Sequence, residues 1–500
     1  MNLTKSKNAN VNYLAQIVDI KAFSSHINPK VERLKVAHVQ GYDIIVGIDE
    51  QPGKYVYFPT NSMINPALLS FANLYRHGEL NADSTKTGFF EDNGRVKAIC
   101  LQKQISEGFL LPFATLQAFI LSSVNVALDE KDCPDGLEFD QAEHGGKAFW
   151  INRKYVIRNS NQRQQVGNPS ERKARKRNKK VAKLDTLIEN QFRFHYDTVL
   201  LRKNPNVIAP NDLISITSKW HGTSHISAYV KCRRYLNWRE RLALWLAKRK
   251  DLFNDYAHLY SSRSVIKNRF VYKDQKKTFG GFYGFDVWKY ADEYLQPFMT
   301  KGMSIYAEIV GYLPSGAYIQ KDYDYGCVPP QIKNFDEADI KEGDYVCGVN
   351  FKIMVYRITI TNEDGIPYEF SAKEVQQWCA KKGLTPVREL YYGYAKDLYP
   401  DLDTKSEDWA TAFMERMAND KNFFMEMPSP DCNNNVPHEG IVIKVEDGVP
   451  RAWKLKTFAF LNKEQSELDK GISNIEDEQG VTIVNDDSGS PMEMLIDVNM

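Results

Sequence analysis

The sequence predicts an α+β protein in which a small β-barrel precedes a larger domain of strands and helices. The chain has 500 residues, enough for two or three domains with cores of their own, and 43% of its residues are hydrophobic, as in globular proteins. Short β-rich segments dominate residues 11–115. Residues 191–460 contain further alternating strands, separated by stretches that are typical of helices.

Composition also indicates where the protein acts. No run of about eighteen apolar residues occurs, and residues 1–7 lack the apolar core of a signal peptide. Seven cysteines occur without a Cys-x-x-Cys pair, which supports neither a disulfide framework nor a structural zinc site. We therefore expect a cytoplasmic monomer that has no membrane partner.

The first predicted unit spans residues 1–135. A helix near Asn65 and a returning strand at 94–101 complete a set of five or so strands with one helix, which is typical of a small barrel of the oligonucleotide-binding (OB) type. The four preceding β-rich runs cover residues 14–20, 32–39, 42–46 and 55–58. Three basic residues lie near the last strand, namely Arg95, Lys97 and Lys103. They could contact phosphates, or they could simply form a solvated strand face.

Charge is distributed unevenly, although the net charge is only +1. Residues 136–190 are predicted to form a basic linker, because eight of the thirteen residues 171–183 are Lys or Arg. Neutralisation of nucleic-acid phosphates is the simplest use of such a cluster, and a nuclear-localisation signal is the alternative. Residues 463–500 are acidic and are predicted to form a flexible tail.

The stretch at residues 214–225 centres on a single lysine. Ile214 and Ile216 alternate as in a short buried strand, which leads into a turn that carries Lys219. Gly222 would allow the backbone to approach a ligand. A lysine at the mouth of a strand is a candidate covalent nucleophile, whereas an ordinary solvated lysine is the alternative.

Three later stretches place further charges on predicted strands. Glu308 lies within the apolar run 304–312, and Glu439 begins the apolar run 438–445. Lys454 and Lys456 share one face of a strand, because side chains repeat every second residue. Unpaired charges on buried strands are costly, so a bound ligand or metal is the expected partner.

These four stretches, in this order, resemble the motifs of the covalent nucleotidyltransferases, the superfamily of polynucleotide ligases and messenger-RNA capping enzymes. Lys-Trp-His-Gly at residues 219–222 is similar to the nucleophile motif Lys-x-Asp-Gly, with His221 where Asp is usual. The other stretches resemble the third, fourth and fifth motifs. The Lys-x-His-Gly-Thr-Ser variant behind an N-terminal barrel is most similar to the Naegleria/Deinococcus-type RNA ligases, over about residues 10–460.

The resemblance implies an OB-like domain followed by a nucleotidyltransferase (ATP-grasp-like ligase) domain of antiparallel sheets flanked by helices, at residues 191–462. It also implies roles for individual residues. Lys219 would be the nucleophile, Glu439 and Glu308 would hold magnesium or manganese, and Glu308 could instead hold the ribose hydroxyls. The expected nucleotide-binding set is His221, Gly222, Arg263, Glu308, Tyr356, Lys454 and Lys456. Within it, Arg263 would contact phosphate or ribose, and Tyr356 would stack on the purine unless it is a core tyrosine.

The implied activity is ATP-dependent RNA ligation in RNA repair, on nicked duplexes or single-stranded ends. It would proceed through lysyl-AMP and RNA-adenylate. The alternatives are a GTP-using capping-type guanylyltransferase and a non-catalytic RNA-binding protein with a decayed ligase domain; His221 argues against a DNA ligase. Because the charged residues assigned to adenylation lie beyond residue 210, the barrel is predicted to serve sealing more than adenylation. The tryptophans at 238 and 245 are expected to pack, and residues 381–424 are expected to be helical.

Overall fold

A computed structural model describes residues 1–7, 9–157, 187–196, 198–233, 238–247, 254–267, 283, 285–332, 340–341 and 343–472. The basic segment 171–183 and most of the acidic segment, residues 473–500, lie outside the described residues. No helix within the described ranges is both long enough and apolar enough to cross a membrane.

Residues 1–157 form an N-terminal part of short strands and two α-helices. Its strands are β1 (Asn2–Thr4), β2 (Ala15–Ile20), β3 (Ser24–Ser25), β4 (Leu34–Val39), β5 (Tyr42–Gly47), β6 (Gly53–Phe58), β7 (Ser62–Ile64), β8 (Ala98–Leu101), β9 (Gln104–Glu107), β10 (Phe109–Pro112), β11 (Glu138–Phe139), β12 (Gln141–His144), β13 (Lys147–Trp150) and β14 (Asn152–Lys154). Its helices are α1 (Pro66–Phe71), α2 (Phe113–Val124) and the 3₁₀ turns Val11–Tyr13, Gly78–Leu80 and Glu130–Asp132.

These strands pair into several small sheets. The central sheet has the order β10-β6-β2-β11, and β3-β4-β5 and β1-β12-β13 form two more. Among the described residues, no strand pairing closes these sheets into a barrel, so the OB-like barrel stays a prediction. The core lies between the central sheet and the two helices, where Ile17, Phe58, Leu68 and Leu116 are buried against one another.

The N-terminal part extends beyond the predicted boundary at residue 135. Strand β11 pairs with β2, and β14 pairs with β7, so residues as far as Lys154 complete its sheets. Burial explains this, because Phe149 and Ile151 enter the same core as β2 and β6. The first third of the predicted basic linker is therefore part of a folded unit.

The second part begins near residue 187 and contains two larger sheets. Its strands are β15 (Val199–Leu200), β16 (Leu213–Ser218), β17 (Thr223–Arg233), β18 (Asn254–Ser261), β19 (Met303–Gly311), β20 (Phe351–Thr361), β21 (Pro367–Glu369), β22 (Thr385–Pro386), β23 (Glu389–Tyr394), β24 (Gly440–Val445) and β25 (Arg451–Lys456). Its helices are α3 (Trp238–Leu246), α4 (Val287–Leu295), α5 (Ala372–Lys382), α6 (Ala395–Leu398), α7 (Trp409–Ala418), α8 (Phe458–Asp469) and the 3₁₀ turns Leu201–Lys203, Pro205–Val207, Gln296–Phe298 and Lys421–Phe423.

The two sheets have the orders β15-β25-β24-β16-β23 and β18-β17-β19-β20-β21, with β22 beside β20. Most pairs are antiparallel, and the β15–β25 and β20–β22 pairs are parallel. Helix α7 covers the apolar face of the first sheet, and α4 and α5 cover that of the second. The chain is thus a mixed α+β protein of largely antiparallel sheets with flanking helices.

Alternation along the first sheet determines which side chains reach its other face. Ile214, Ile216 and Leu455 point into the core with α7. The intervening residues, including Lys454 and Lys456, line a cavity on the opposite side. The prediction that the two lysines share a strand face agrees with this register.

Helix α8 joins the two parts and corrects the predicted start of the flexible tail. It begins where the Thr457 hydroxyl accepts a hydrogen bond from the Phe460 amide at 3.1 Å. The Gln465 side chain bonds both backbone groups of Ala98, at 2.8 and 3.2 Å. Residues 463–469 are therefore helical, because they dock onto β8.

Two basic residues expected to contact phosphates or solvent hold helix α8 instead. Asp469 accepts hydrogen bonds from Arg95, whose side chain is fully buried, and from Lys97 Nζ at 3.2 Å. Lys97 also bonds Glu91 at 2.8 Å. An acidic residue from the other part of the chain is thus the partner of both basic side chains.

Two further expectations were wrong. Trp238 and Trp245 on helix α3 do not pack: their exposed fractions are 70% and 74%. Leu242 and Leu246 of the same helix are also exposed, at 47% and 66%. Residues 381–424 contain strands β22 and β23 as well as helices, because β23 completes the edge of the first sheet beside β16.

Candidate active site

A cavity of about 210 Å³ lies between the two large sheets and extends to the N-terminal part. It collects predicted site residues from six segments that are separate in the sequence. Eight of these residues line it, namely Lys219, His221, Arg263, Glu308, Tyr356, Glu439, Lys454 and Lys456. The remaining one, Gly222, does not.

Lys219 follows the last residue of β16 and enters the cavity. Its backbone amide donates to Gly440 O at 2.8 Å, which ties the turn after β16 to the start of β24. Lys219 Nζ lies 2.8 Å from Glu439 Oε1, and the exposed side-chain fractions are 23% and 4%. The amine is therefore reachable from the cavity, whereas the carboxylate is almost fully enclosed.

Glu439 is an anion with one oxygen available. Burial alone would raise the pKa of Glu439, but the positive charge of Lys219, followed by His221 and Lys456, outweighs burial and lowers it. Glu439 Oε2 is buried and has no hydrogen-bond partner among the described residues, and it lies 3.9 Å from His221 Nδ1. An orphaned carboxylate oxygen beside a cavity fits a magnesium or manganese ion, which takes few carboxylates and several water or phosphate oxygens. No group of three or more His, Cys, Asp or Glu residues suited to a metal occurs within the described ranges.

Aromatic rings fix the turn that carries Lys219. His221 contacts the rings of Tyr323 and Phe460 edge-on, both at 5.0 Å, and its backbone amide donates to the Tyr325 hydroxyl at 2.6 Å. Trp220 stacks on Tyr325 at 4.5 Å. Burial lowers the pKa of His221, so a neutral imidazole occupies the position where the resembling motif carries an Asp.

Gly222 is needed for close packing, which differs from its predicted role of admitting a ligand. A Cβ at this position would lie 2.4 Å from Ile309 O and 2.8 Å from Glu308 Cγ. Its carbonyl accepts from Gln320 Nε2 at 2.8 Å. The glycine therefore brings the turn against β19 and thereby helps to place Glu308.

A β-bulge presents Tyr356 to the cavity. Tyr306 of β19 pairs with Arg357, and Ala307 pairs with Val355, so Tyr356 is the extra residue. Its hydroxyl lies 3.3 Å from His195 Nδ1. Burial raises the pKa of Tyr356, which keeps the phenol neutral. The position suits either purine stacking or a wall residue, and purine stacking stays a prediction.

Lys456 is charged and held by an acid that the sequence did not suggest. Its Nζ lies 2.9 and 3.0 Å from the two oxygens of Glu464 on helix α8, and 4.8 Å from the centre of the Phe460 ring. Burial lowers the pKa of Lys456, but Glu464, Glu439 and Tyr13 together raise it above its usual value. Glu464 lies in the segment predicted to be a flexible tail, so strand periodicity contained no sign of it.

The N-terminal part supplies another section of the cavity wall. Asn10, Asn12, Tyr13, Asn61, Lys154 and Tyr155 all line it. The prediction that this part need not touch the nucleotide site rested on sequence distance alone, and the structure brings both parts to one cavity. No local pattern marks these residues, because they reach the cavity through long-range contacts such as those of Asn12 with Thr198 and Leu200.

Comparisons with known proteins gave structural matches only. No family model matches the chain, and no curated protein matches it. The chain is similar to solved structures of Naegleria gruberi RNA ligase. An alanine mutant with ATP and Mn is 14% identical, with 91% of this chain and 99% of that chain covered at a TM-score of 0.48. The same ligase with PPi is 14% identical, with 91% and 100% covered at 0.48.

Proposed function

We propose that the protein is an ATP-dependent RNA ligase that joins 3′-hydroxyl and 5′-phosphate ends through a lysyl-AMP and an RNA-adenylate. One observation supports this above all: four separate stretches bring a lysine, two carboxylates and two further lysines into one cavity. Their order in the chain is that of the motifs they resemble. A solvated lysine beside a turn would need no such surroundings.

Lys219 is the proposed nucleophile. A free lysine amine has a pKa of about 10.4, so it must be deprotonated before it can attack. The Glu439 carboxylate stabilises the charged amine at 2.8 Å. Displacement of Glu439 from Lys219, together with positive charge from Lys454 and Lys456, would favour the neutral form.

Glu439 and Glu308 are the proposed residues for a divalent cation. The orphaned Oε2 of Glu439 is the observation that fits it. When bound, magnesium or manganese would supply positive charge to phosphate oxygens and to the surroundings of Lys219. Glu308, on the facing strand β19, would either share this role or hold the ribose hydroxyls.

The first step forms one bond and breaks one. Neutral Lys219 Nζ attacks the α-phosphorus of ATP, the bond to the bridging oxygen breaks, and pyrophosphate leaves. The amine loses its remaining excess proton to solvent, which gives lysyl-AMP. Lys454 and Lys456 would stabilise charge on the phosphate oxygens, Arg263 would contact phosphate or ribose, and Tyr356 would stack on adenine.

Two further transfers complete the reaction. A 5′-phosphate oxygen of RNA attacks the same phosphorus, the N–P bond breaks, and Lys219 takes up a proton. The 3′-hydroxyl of the other strand then attacks the 5′-phosphate, loses its proton and displaces AMP. Both transfers reuse the lysines that neutralise phosphate charge.

We also propose that residues 1–157 act as an OB-like nucleic-acid-binding part and residues 191–472 as the nucleotidyltransferase. The mixed β-sheets of the first part and the cavity between the sheets of the second support this division. A role in RNA repair would follow from the joining of 5′-phosphate and 3′-hydroxyl ends.

Labelling of the full chain tests the proposal. We expect label from ATP, radioactive at the α-phosphate, to stay with the protein on a denaturing gel in the presence of magnesium or manganese. Labelled GTP should give none, and Lys219→Ala should abolish the ATP signal while the protein stays folded. A folded protein that takes label from neither nucleotide would overturn the proposal. Label from GTP alone would favour the capping-type alternative.

A further inference from the structure

We propose that the N-terminal wall of the cavity is a binding site for the terminal nucleotide of the RNA strand being joined. The site, here called the tyrosine arm, consists of Tyr13, Asn61, Lys154 and Tyr155. It would hold the base and ribose while the adjoining phosphate reaches Lys219. The inference rests on the proposed function and adds where the RNA end binds.

Three segments build the tyrosine arm, and hydrogen bonds to backbone carbonyls join them. Tyr13 ends a 3₁₀ turn, Asn61 directly precedes β7, and Lys154 ends β14 with Tyr155 directly after it. The Tyr155 amide donates to Asn61 O at 2.9 Å, and the Asn152 side chain donates to Tyr13 O. Both tyrosine rings are half-buried, so they are fixed in place yet reach the cavity.

Asn61 provides the observation that points to a ligand. The residue is only 9% exposed, and its Oδ1 is buried with no hydrogen-bond partner among the described residues. It lines the cavity and also a smaller adjoining cavity of about 60 Å³. A buried amide oxygen without a donor is costly, and a ribose hydroxyl or a base amino group would supply one.

The composition of the arm favours a nucleoside over the phosphate tail of ATP. Lys154 Nζ lies 5.3 Å from the centre of the Tyr13 ring, and Arg95 Cζ lies 5.2 Å from the centre of the Tyr155 ring. The Arg95 charge is already paired with Asp469, so Lys154 is the cation that the arm itself adds. Helix α8 and the residues after it contribute Leu468 and Ile472 to the lining of the same cavity. Apolar and aromatic walls suit a stacked base, whereas a polyphosphate would need several cations.

Acidic residues near the tyrosine arm also favour a nucleoside over the phosphate tail of ATP. Glu464 and Glu467 of helix α8 also line this end of the cavity. They are paired with Lys456 and Lys463, which offset their charge. Helix α8 therefore adds no net positive charge to this wall for three additional phosphates.

The test uses the full chain with alanine and phenylalanine variants of the two tyrosines. Tyr13→Ala and Tyr155→Ala should bind a 5′-phosphorylated oligoribonucleotide about tenfold more weakly and lower the sealing of pre-adenylated nicked RNA by a similar factor, as expected for the loss of one stacked base. Lysyl-AMP formation should stay within about twofold of the parent protein. Tyr13→Phe and Tyr155→Phe keep the rings and should behave like the parent. Phe89→Ala, at a 58% exposed aromatic outside the cavity, is the matched control.

A thermodynamic cycle that combines abasic RNA substrates with Tyr155→Ala shows which terminal nucleotide contacts the tyrosine arm. The terminal base is removed at the 5′-phosphate end in one substrate and at the 3′-hydroxyl end in another. If the arm holds one of these nucleotides, removal of that base and Tyr155→Ala each weaken RNA binding, but the two losses of binding free energy will not add at that end. Additive losses at both ends would overturn the proposal.

Two other outcomes would also overturn it, and both are separable from failure of the proposed function. Alanine variants that seal as well as the parent show that the arm does not bind RNA. Alanine variants that lose lysyl-AMP formation but bind RNA normally show that the arm serves ATP. Failure of the proposed function would instead appear in the parent protein, as an absence of ATP label.

Discussion

Lys219 Nζ and Glu439 Oε1 lie 2.8 Å apart, and this ion pair links the end of β16 to the start of β24 within the cavity. The carboxylate stabilises the charged amine, which is the unreactive form. Glu439 also has a second, buried oxygen without a hydrogen-bond partner among the described residues. The same residue is thus placed to hold the lysine before the reaction and a divalent cation during it.

Glu439→Gln should therefore lose both the ion pair with Lys219 and the binding of the divalent cation, because glutamine has nearly the same size as glutamate but no charge. We expect manganese affinity, measured by titration calorimetry, to fall about 100-fold, and lysyl-AMP formation to fall by at least as much. Glu363→Gln, in an exposed pair with Lys231 at 2.9 Å, is the control and should change neither. Unaltered manganese binding in Glu439→Gln would remove this residue from the metal site.

Lys454→Met and Lys456→Met should separate charge from stability. Each keeps much of the aliphatic stem, and each should reduce lysyl-AMP formation strongly. Lys456→Met should also lower the free energy of unfolding by about 2 kcal/mol, because Glu464 would lose its partner at 2.9 Å. Adding Glu464→Gln should recover most of that stability but not the activity, as measured by urea unfolding and ATP labelling. Equal stability of the two single variants would contradict the role given to Glu464.

Gly222→Ala should disturb the site through packing. The added methyl group would lie 2.4 Å from Ile309 O, so the turn and β19 must move apart. We expect a loss of about 2 kcal/mol in the free energy of unfolding and a large loss of lysyl-AMP formation, because Glu308 moves with its strand. Gly47→Ala is the matched control, since nothing lies within 4 Å of its added Cβ. A fully active Gly222→Ala protein would show that the close approach is dispensable.

Short-range sequence patterns predicted much of this site, and their limits are physical. The two-residue strand repeat placed Lys454 and Lys456 on one face, and apolar alternation located Ile214 and Ile216. The bulge that turns Tyr356 toward the cavity leaves no such pattern. Glu464 and Tyr13 reach the cavity only through long-range docking. Contacts of that kind depend on how distant segments fold together, which a single sequence does not display.

Asp469→Asn tests the docking of helix α8 on the N-terminal part. Arg95 has a fully buried side chain, so loss of its charged partner should lower the free energy of unfolding by about 3 kcal/mol. Asp401→Asn, in a pair with Arg416 in which both side chains are more than half exposed, should cost less than about 1 kcal/mol. Chemical unfolding of both variants measures the difference. Equal effects would mean that the buried pair does not hold the two parts together.

The same contacts change what we expect from removal of residues 1–157. The sequence suggested that adenylation would survive and sealing would fall. Helix α8, which carries the Glu464 partner of Lys456, docks on β8, so the truncated protein should lose stability and form lysyl-AMP more slowly as well. Labelling and sealing assays on the truncated protein, with circular dichroism as the folding control, separate these outcomes. Normal adenylation would support the original expectation.

His225 should make stability depend on pH. It is fully buried on β17, where burial lowers its pKa to about 3, and His225 Nε2 lies 2.8 Å from Ser227 Oγ. In the unfolded chain an ordinary histidine takes up a proton near pH 6.5, so between about pH 6.5 and 3 the unfolded state binds more protons. The stability contributed by the neutral ring is therefore complete above about pH 6.5 and falls by about 1.4 kcal/mol for each unit below it. Urea unfolding from pH 7 to pH 5 should show this pH dependence of the free energy of unfolding. His225→Gln should remove the His225 contribution of about 1.4 kcal/mol per pH unit. His144→Asn, at an exposed side chain, should leave the pH dependence unchanged. If His225→Gln keeps the slope of the parent, the acid sensitivity arises from other groups.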